Sequence, residues 1–369
     1  MKFSIQREIL LKPLQFIIGV VERRQTLPVL SNVLLEVKDN QLAMTATDLE
    51  IEIVANTGLD AIEPGTTTLP ARKFLDIVRA LPDEAQIQLT QEGDKDRVVI
   101  RSGKSRFNLA TLPADDFPNI DEINRRFEFD LSQAQLKNLI DKTQFAMAQQ
   151  DVRYYLNGLL LEITEGLVKT VATDGHRLAY CECNGEVSPA EKIQIILPRK
   201  GVIELAKLLE GNEQPAHIIV GSNHLQLTLP DIRFTTKLID GRFPDYERVI
   251  PRTGDKNVIA ERDSLRQTLA RTSILSNEKY RGIRLRLSNG LLQSQAHNPE
   301  MEEAEEEVEV QYQGDELEIG FNVNYLIDAL NAIPTGQVNM TFGDSNSSCL
   351  MTPMEPESGC QYVIMPMRL

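Results

Sequence analysis

The stretch TATDLEIEI, residues 45–53, decides the fold, because the chain repeats it as VATDGHRLA at residues 171–179. Asp48 of the first copy and Asp174 of the second copy are 126 residues apart. Self-similarity at a fixed period is typical of a chain built from repeated structural units. The repeat extends beyond this stretch in both directions along the sequence.

Other segments recur in the same order and at a similar spacing. ARKFLDIVRALP at 71–82 returns as PRKGVIELAKLLEG at 198–211, and more weakly as NVNYLIDALNAIP at 322–334. RFNLATLPADDFPNI, which begins at Arg106, returns from Arg233 as RFTTKLIDGRFPDYERVIP. Chance could supply one such match, but it would not supply an ordered series.

The N-terminal segment REILLKPLQFIIGVVERR completes the pattern, because similar segments begin at Ser132 and Glu261. A period near 125 residues leaves each copy long enough to bury a core of its own. The sequence therefore predicts three homologous domains: 1–124, 125–252 and 253–369.

Each copy contains two segments with apolar residues at helical spacing. In the second copy these are Leu136, Leu139 and Ile140, and then Val202 and Leu205. Short alternating runs between the helices are typical of strands. The predicted fold class is α+β, with two helices and antiparallel sheets in each domain. Pro13 interrupts the first helical segment, so the end of that helix stays open.

Charge is distributed unevenly over these elements. The six predicted helical segments carry 15 basic and 9 acidic side chains, whereas the chain as a whole has a net charge of −15. The helical segments therefore have a net charge of +6, and the remainder of the chain has a net charge of −21. Such a distribution allows an acidic protein to present a basic face to phosphates. The alternative is an ordinary solvated helix face, and the threefold repeat favours the functional interpretation.

The two ends of the chain carry opposite charge. RVVIRSGKSR at 97–106 holds four basic side chains and no acid, whereas residues 300–309 hold seven glutamates. Complementary ends favour head-to-tail association, and such contacts form a ring when they close. A solvated acidic tract is the alternative, but the valines that alternate with the glutamates indicate a strand.

A ring of two protomers would have twelve helices. At an interaxial spacing of ~9–10 Å they enclose an opening of about 25 Å once helix radii are removed. Groove depths imply a duplex roughly 20 Å wide. A DNA duplex would fit with a layer of water, which favours phosphate contact without base readout.

The remaining composition excludes several classes of protein. No apolar run approaches the ~18 residues of a membrane span, and no signal peptide is recognisable, so a cytoplasmic location is expected. No cofactor or metal motif is present. The four cysteines, at 181, 183, 349 and 360, form no disulfide framework or metal-ligand spacing and are expected to be inert thiols.

Two other function classes are alternatives. Asp174, His176 and Cys181 could suggest acid–base or nucleophilic chemistry, but the first copy has Glu50 where His176 stands. The shared Thr-Asp pair is better explained as a turn or strand-end device. A peptide-binding adaptor unrelated to DNA is the second alternative, and the basic helical face argues against it.

The motifs RQTLPVLSN, QDVRYYLNG, TVATDGHRLA, DGRFPDY, ILSNEKYRG, GFNVNYL and the terminal YVIMPMRL resemble the beta subunit family of bacterial DNA polymerase III, the sliding clamps. The resemblance covers the whole chain. It implies a homodimeric head-to-tail ring with helices lining the hole, no catalytic activity, and a role in polymerase processivity on duplex DNA. Implied partners are the polymerase III alpha subunit, an ATP-driven clamp loader, and other polymerases and repair proteins that bind through short linear peptides.

The resemblance also places three kinds of site on this chain. DNA contacts would be Arg24, Arg72, Gln150, Tyr154 and Tyr155. The dimer interface would contain Lys73, Lys104, Arg106, Phe107, Leu109, Ile274, Leu275, Glu300 and Glu303. The partner-peptide pocket would contain Leu156, Thr173, Gly175, His176, Arg177, Leu178, Pro244, Arg248, Val249, Asn322, Tyr325, Val363, Met365, Pro366, Met367 and Arg368.

Overall fold

The structure is a computed structural model that describes residues 1–22, 27–91, 96–120, 123–252, 254–355 and 359–368. The described residues contain six α-helices among antiparallel strands, so the predicted α+β class is confirmed. No helix in these ranges is both long and apolar enough to cross a membrane. The same ranges contain no cluster of His, Cys, Asp and Glu side chains suited to a metal ion.

The strands follow the repeat. The first copy supplies β1 (Lys2–Gln6), β2 (Asn32–Lys38), β3 (Gln41–Thr47), β4 (Ile51–Gly58), β5 (Asp60–Glu63), β6 (Gly65–Pro70), β7 (Gln86–Gln91), β8 (Arg97–Ser102) and β9 (Ser105–Ala110). The second supplies β10 (Arg125–Ser132), β11 (Gly158–Thr164), β12 (Leu167–Thr173), β13 (Arg177–Asn184), β14 (Ile193–Pro198), β15 (Pro215–Gly221), β16 (His224–Thr228) and β17 (Ile232–Lys237). The third supplies β18 (Lys256–Glu261), β19 (Gly282–Ser288), β20 (Leu291–His297), β21 (Glu303–Gln311), β22 (Leu317–Asn322), β23 (Gln337–Phe342), β24 (Cys349–Pro353) and β25 (Cys360–Ile364).

The helices also occur in pairs, two in each copy. They are α1 (Arg7–Ile17), α2 (Ala71–Ala80), α3 (Gln133–Thr143), α4 (Arg199–Leu208), α5 (Arg262–Thr272) and α6 (Val323–Ala332). Each buries the apolar stripe that its sequence predicts. In α1 the buried residues include Leu10, Leu14 and Ile17, and in α2 they include Phe74 and Val78. Burial of each such side chain contributes about 1.5–3 kcal/mol.

Pro13 lies inside α1 and does not end it. Proline removes one backbone donor from a helix interior and usually breaks or kinks the helix. Here the ring is buried together with Leu10 and Leu14, so packing of the apolar face outweighs the lost hydrogen bond. The helix ends at Ile17, before the ERR segment that the sequence pattern had included.

The chain divides into two compact units, residues 1–134 with 203–238, and residues 135–202 with 239–369. The first unit contains a five-stranded sheet, β5-β1-β7-β8-β9, and an eight-stranded sheet, β10-β15-β16-β17-β4-β3-β2-β6. The second contains a twelve-stranded sheet, β14-β11-β12-β13-β25-β24-β23-β18-β21-β20-β19-β22. The second copy of the repeat is therefore shared between the units.

The sheet orders show how consecutive copies join. Each copy forms two half-sheets of four strands, for example β10-β15-β16-β17 and β14-β11-β12-β13 in the second copy, and in the first copy β5 is added beside β1. The first half-sheet of one copy pairs with the second half-sheet of the preceding copy. This occurs at β17 and β4, where Thr235 lies opposite Glu52, and at β25 and β13, where Val363 lies opposite Leu178. We call these two pairings the first seam and the second seam.

The expectation of four inert thiols is wrong for two of them. The register of the second seam places Cys181 directly opposite Cys360, and the structure joins them in a disulfide. They are 179 residues apart in sequence, so their spacing gave no sign of the pairing. Cys183 and Cys349 are free, and burial raises the pKa of both thiols, that of Cys183 to about 11.

Candidate functional site

The repeated Thr-Asp pair forms the turn between two strands. In the second copy the Asp174 Oδ1 atom accepts hydrogen bonds from the backbone N–H of His176 (2.9 Å) and Arg177 (3.0 Å). Thr173 Oγ1 donates to the carbonyl of Arg177 at 2.6 Å. Thr47 and Asp48 make the same contacts in the first copy. The prediction of a turn device is confirmed, because in each copy one carboxylate oxygen and the threonine hydroxyl bind main-chain groups of the turn.

The second copy of this turn requires glycine. Gly175 has φ +87°, and a Cβ atom there would lie 3.0 Å from a guanidinium nitrogen of Arg153. The first copy has Leu49 at φ +77°, half-exposed, in the same left-handed region. The two turns share a backbone conformation, which glycine adopts without strain.

Arg177 connects the turn to α6. Its guanidinium contacts Asp174 at 3.1 Å and Asp328 at 2.5 Å, and it donates to the carbonyl of Phe145 at 2.8 Å. It also lies 4.5 Å from the ring centre of Tyr325. The side chain is only 12% exposed, so these contacts are poorly screened by solvent. Arg177 and Tyr325, both predicted pocket residues, are thus brought together.

The C-terminal tail continues the second seam beyond β25. The N–H of Met365 donates to the carbonyl of His176 at 2.9 Å, and that of Met367 donates to the carbonyl of Gly320 at 2.9 Å. Met365, Pro366 and Met367 are half-buried. The tail therefore presents partly covered, adaptable apolar side chains next to the Thr-Asp turn.

Beneath the turn lies an apolar group of buried residues that we call the pocket cluster. Val249 and Tyr155 pack against it. It consists of Leu160, Val171, Leu178, Tyr180, Ile196, Phe243, Tyr246 and Val363. Phe243 and Tyr246 belong to an irregular segment that also carries the exposed Pro244 and Arg248. Neither Phe243 nor Tyr246 was predicted from the sequence, although the recurrence of FPNI as FPDY indicated that this segment is part of the repeat.

The remaining predicted pocket residues lie in the same unit. Leu156 is buried in a single 3-10 turn at Tyr154–Leu156. Asn322 caps α6, accepting from the N–H of Asn324 at 3.0 Å, and it donates to the carbonyl of Tyr280 at 3.3 Å. Arg368 is exposed at the end of the tail. The second unit therefore contains all the residues predicted for the pocket. They lie on one hairpin, the tail, the start of α6, the 3-10 turn at Tyr154–Leu156 and the irregular segment that carries Phe243 and Tyr246.

Among the predicted DNA contacts, three lie in one loop of the second unit. Gln150 is exposed at φ +55°, Tyr154 is 57% exposed, and Tyr155 packs against the pocket cluster. In the same loop Arg153 forms an ion pair with Asp151 at 2.8 Å, and its hydrogen bonds lower the pKa of Asp151 to about 2. The loop therefore presents an aromatic ring and an amide to solvent, with its own basic side chain neutralised.

The other two predicted DNA contacts belong to the first unit. Arg72, exposed on α2, donates to the carbonyl of Val21 at 2.6 Å and so holds the chain that follows α1. Arg24 lies outside the described residues. The proposed contact at Arg72 remains a prediction, since its side chain has a structural role as well.

The predicted interface residues lie on β9, on the turn before it, on α2 and in the third copy. Lys73, Lys104 and Arg106 are exposed, Phe107 is half-buried, and Leu109 is 8% exposed. In the third copy Ile274 is 72% exposed, Leu275 is half-buried, and Glu300 and Glu303 are exposed. The strand predicted for the acidic tract is confirmed as β21. A strongly exposed isoleucine next to a strand edge is consistent with a contact surface.

The first seam differs from the second in polarity. Glu52 stands where the second seam has Leu178 and is only 5% exposed. Its carboxylate accepts from the N–H of Ile120 at 3.3 Å and lies 3.8 Å from Arg233. Burial raises the pKa of Glu52, and the Ile120 and Arg233 contacts offset only part of that effect.

Comparisons with known proteins agree with this architecture. Family models described as the N-terminal, central and C-terminal domains of the DNA polymerase III beta subunit match residues 1–121, 130–245 and 247–368. The chain belongs to the DNA polymerase III beta subunit family. Beta sliding clamps of Pseudomonas aeruginosa and Escherichia coli are 55% and 52% identical to it, over the full length of both chains.

Solved structures of beta subunits show the same fold. A sliding clamp of Pseudomonas aeruginosa bound to griselimycin has a TM-score of 0.96 at 55% identity and covers all of both chains. A Caulobacter crescentus beta sliding clamp has a TM-score of 0.95 at 39% identity and covers 100% of this chain and 99% of its own. As a member of the family, the chain is a DNA clamp that serves polymerase processivity and is not an enzyme. Membership implies DNA and a polymerase as partners and a dimeric ring as the assembly.

Proposed function

We propose that two copies of the chain close head to tail into a ring, joined by a third seam of the kind described above. The observation that supports this proposal is the order of the half-sheets in the described residues. After the two seams are formed, one first half-sheet, β1-β7-β8-β9, and one second half-sheet, β22-β19-β20-β21, still lack a partner half. β9 is a sheet edge, and β21 pairs with β18 only through Val310 and Gln311. β9 of one protomer can therefore pair with β21 of another in the same way that a first half-sheet pairs with a second half-sheet at the two seams.

The repeat also gives the register of this third seam. Glu52, Leu178 and Glu303 occupy equivalent hairpin positions, opposite Thr47, Thr173 and His297. Glu52 pairs with Thr235 in the first seam, and Thr235 corresponds to Asn108 in the first copy.

Asn108 should therefore lie opposite Glu303 of the other protomer. Continuing the antiparallel register places Arg106 opposite Glu305 and Lys104 opposite Glu307. Each exposed ion pair contributes about 0–1 kcal/mol. The third seam would therefore depend on its backbone ladder and apolar contacts as well as on charge.

A charge exchange tests this register. Arg106→Glu should weaken the dimer in sedimentation velocity at nanomolar protein, because it places two acidic side chains opposite each other. Adding Glu305→Arg should restore much of the affinity. Arg97→Glu, an exposed change on the neighbouring strand β8, is the matched control and should leave the dimer intact. A double variant no tighter than Arg106→Glu alone would contradict the register.

The finer functional assignments rest on the same repeat and on the resemblance. The three domains are proposed to span residues 1–124, 125–252 and 253–369, with Arg24, Arg72, Gln150, Tyr154 and Tyr155 contacting DNA. The pocket residues of the second unit are proposed to receive short apolar peptides from the polymerase III alpha subunit, the clamp loader, and other polymerases and repair proteins. The polar Glu52 at the first seam supports a single apolar pocket per protomer. A cytoplasmic location and the absence of a cofactor are proposed with this role.

Topological binding to DNA can be tested directly. The basic excess on the helices is small, so static affinity for DNA should be low and salt-sensitive. Clamp loaded onto nicked circular DNA should stay bound through gel filtration, and linearising the DNA should release it. Equal retention on circular and linear templates would show that the protein binds by affinity and would contradict the ring.

A further inference from the structure

The irregular segment 239–252 carries one wall of the proposed peptide pocket, and a few bonds hold it on the sheet. The N–H of Ile239 donates to the carbonyl of Ile196 at 2.9 Å. Further along, the hydroxyl of Tyr246 donates to Glu162 Oε1 at 3.1 Å, a bond that is fully buried. Tyr246 begins a 3-10 turn closed by the N–H of Val249 donating to its carbonyl at 3.0 Å. The phenol therefore fixes the segment at the point where its pocket residues project.

Glu162 is a buried carboxylate whose oxygens are well supplied with donors. It is 1% exposed on β11, and Lys192 lies at 2.8 Å, Gln194 at 2.7 Å and Lys169 at 3.7 Å. Burial alone would raise the pKa of Glu162, but the hydrogen bonds from Lys192, Gln194 and Tyr246 outweigh it and lower the pKa. The acceptor of the Tyr246 hydroxyl is therefore ionised and fixed in place, which strengthens the hydrogen bond.

Comparison of the second copy with the first shows that the Tyr246–Glu162 hydrogen bond is not a general feature of the repeated fold. Glu36 is the equivalent of Glu162 in the first copy, and it is exposed. Ile120 is the equivalent of Tyr246, and its segment is held by a backbone N–H donating to Glu52. The first seam thus folds without a phenol–carboxylate pair. The pair occurs in the second unit, where Tyr246 packs in the pocket cluster with Leu178 and Val363 of the second seam.

We propose that Tyr246 and Glu162 are positioning residues for partner-peptide binding. Their hydrogen bond holds residues 244–249 against the pocket cluster, so that Pro244, Arg248 and Val249 meet the peptide without prior ordering. Loss of the bond leaves the pocket residues present but allows their segment to move, and each binding event then bears the cost of ordering it. This inference rests on the proposed peptide pocket and names residues outside it that set its affinity.

The test is Tyr246→Phe, which removes the hydroxyl and keeps the ring. A fluorescein-labelled short peptide with two apolar anchor residues is titrated against the full-length dimer. The variant should bind about ten-fold more weakly, as expected when one charge-assisted hydrogen bond no longer orders the site. In a Glu162→Gln background the same Tyr246→Phe change should lose most of its effect, because the two residues act as a pair.

Tyr312→Phe is the matched control. Tyr312 lies outside the pocket cluster, is 4% exposed, and its hydroxyl donates to the carbonyl of Asp315 at 2.6 Å. Removing that hydroxyl should leave peptide affinity unchanged. Dimer sedimentation and retention on circular DNA should be unchanged in both variants, whereas a general loss of structure would affect all three measurements.

Equal peptide affinity for the unmodified chain and Tyr246→Phe would overturn this inference alone. So would a Tyr312→Phe variant that weakens binding as much as Tyr246→Phe does, or a Tyr246→Phe variant that lowers only the thermal midpoint. Absence of peptide binding by the unmodified chain would instead overturn the proposed pocket, and this inference with it. The two failures are distinguished by measuring the unmodified chain first.

Discussion

Replacement of Arg177 by methionine should destabilise the second unit more than any exposed arginine in it. The change keeps much of the apolar stem but leaves Asp174, Asp328 and the carbonyl of Phe145 without their common donor. Removing one partner of a buried ion pair costs about 3–5 kcal/mol, and loss of the cation over Tyr325 adds roughly 0.5–2 kcal/mol. Asp328 is 40% exposed and partly rehydrates, so a loss near the lower bound, about 3 kcal/mol, is expected.

The measurement is urea unfolding followed by circular dichroism. With a slope of roughly 3 kcal/mol per molar urea, a loss of about 3 kcal/mol moves the midpoint of the affected transition by about 1 M. Arg286→Met is the matched control, because Arg286 is half-exposed and pairs with the exposed Glu316 in the same unit. Its midpoint should not move. If Arg177→Met shifts the midpoint no more than Arg286→Met does, the contacts of Arg177 do not stabilise the fold as reasoned.

Three further outcomes are expected. Deletion of residues 365–369 should lower peptide affinity by at least two orders of magnitude, and the dimer should still be seen in sedimentation. Peptide affinity equal to that of the unmodified chain would contradict the pocket. Loss of the dimer would show that the tail is structural. Gly175→Ala should lower the free energy of unfolding by about 1–2 kcal/mol, whereas Leu49→Ala in the equivalent turn should leave it nearly unchanged. Similar losses of unfolding free energy in the two variants would refute the requirement for glycine. The pKa of Glu52 is raised in the folded state, so ionisation of this carboxyl lowers the stability of the fold as pH rises through that pKa. Glu52→Gln should therefore melt at a higher temperature than the unmodified chain at pH 7–8 and at the same temperature below about pH 4. A difference in melting temperature that stays constant across pH would contradict the assignment.

Local patterns were sufficient for much of the fold. The 3.6-residue periodicity of segments such as 71–80 predicts helices that the structure contains, and the alternating valines near residue 308 predict β21. The Thr-Asp pairs were recognisable as turn devices because both copies share them while only one has His176. In each case the signal lies within about ten residues of the element that it predicts.

Contacts set by strand register could not be predicted in this way. Cys181 meets Cys360 because distant strands pair in one particular register, and a shift of one residue would turn either side chain to the opposite face. Glu162 meets Tyr246 because an irregular segment, 84 residues further along the chain, packs back on the sheet. Spacing along the chain carries no information about that register. The division of the second copy between two sheets was equally invisible, although the repeat itself was plain.

The seam architecture has a consequence for solubility. A row of half-sheets that add to one another by edge pairing always ends in two unsatisfied strand edges, and exposed edges recruit further chains. β9 is such an edge, and the part of β21 before Val310 is another, because β18 pairs with the last two residues of that strand. The basic side chains of the first edge and the acidic side chains of the second attract each other. Unlimited addition would yield a fibre, and only closure after a fixed number of copies ends the series without a free edge. Ring closure would therefore protect the protein against polymerisation as well as retain it on DNA.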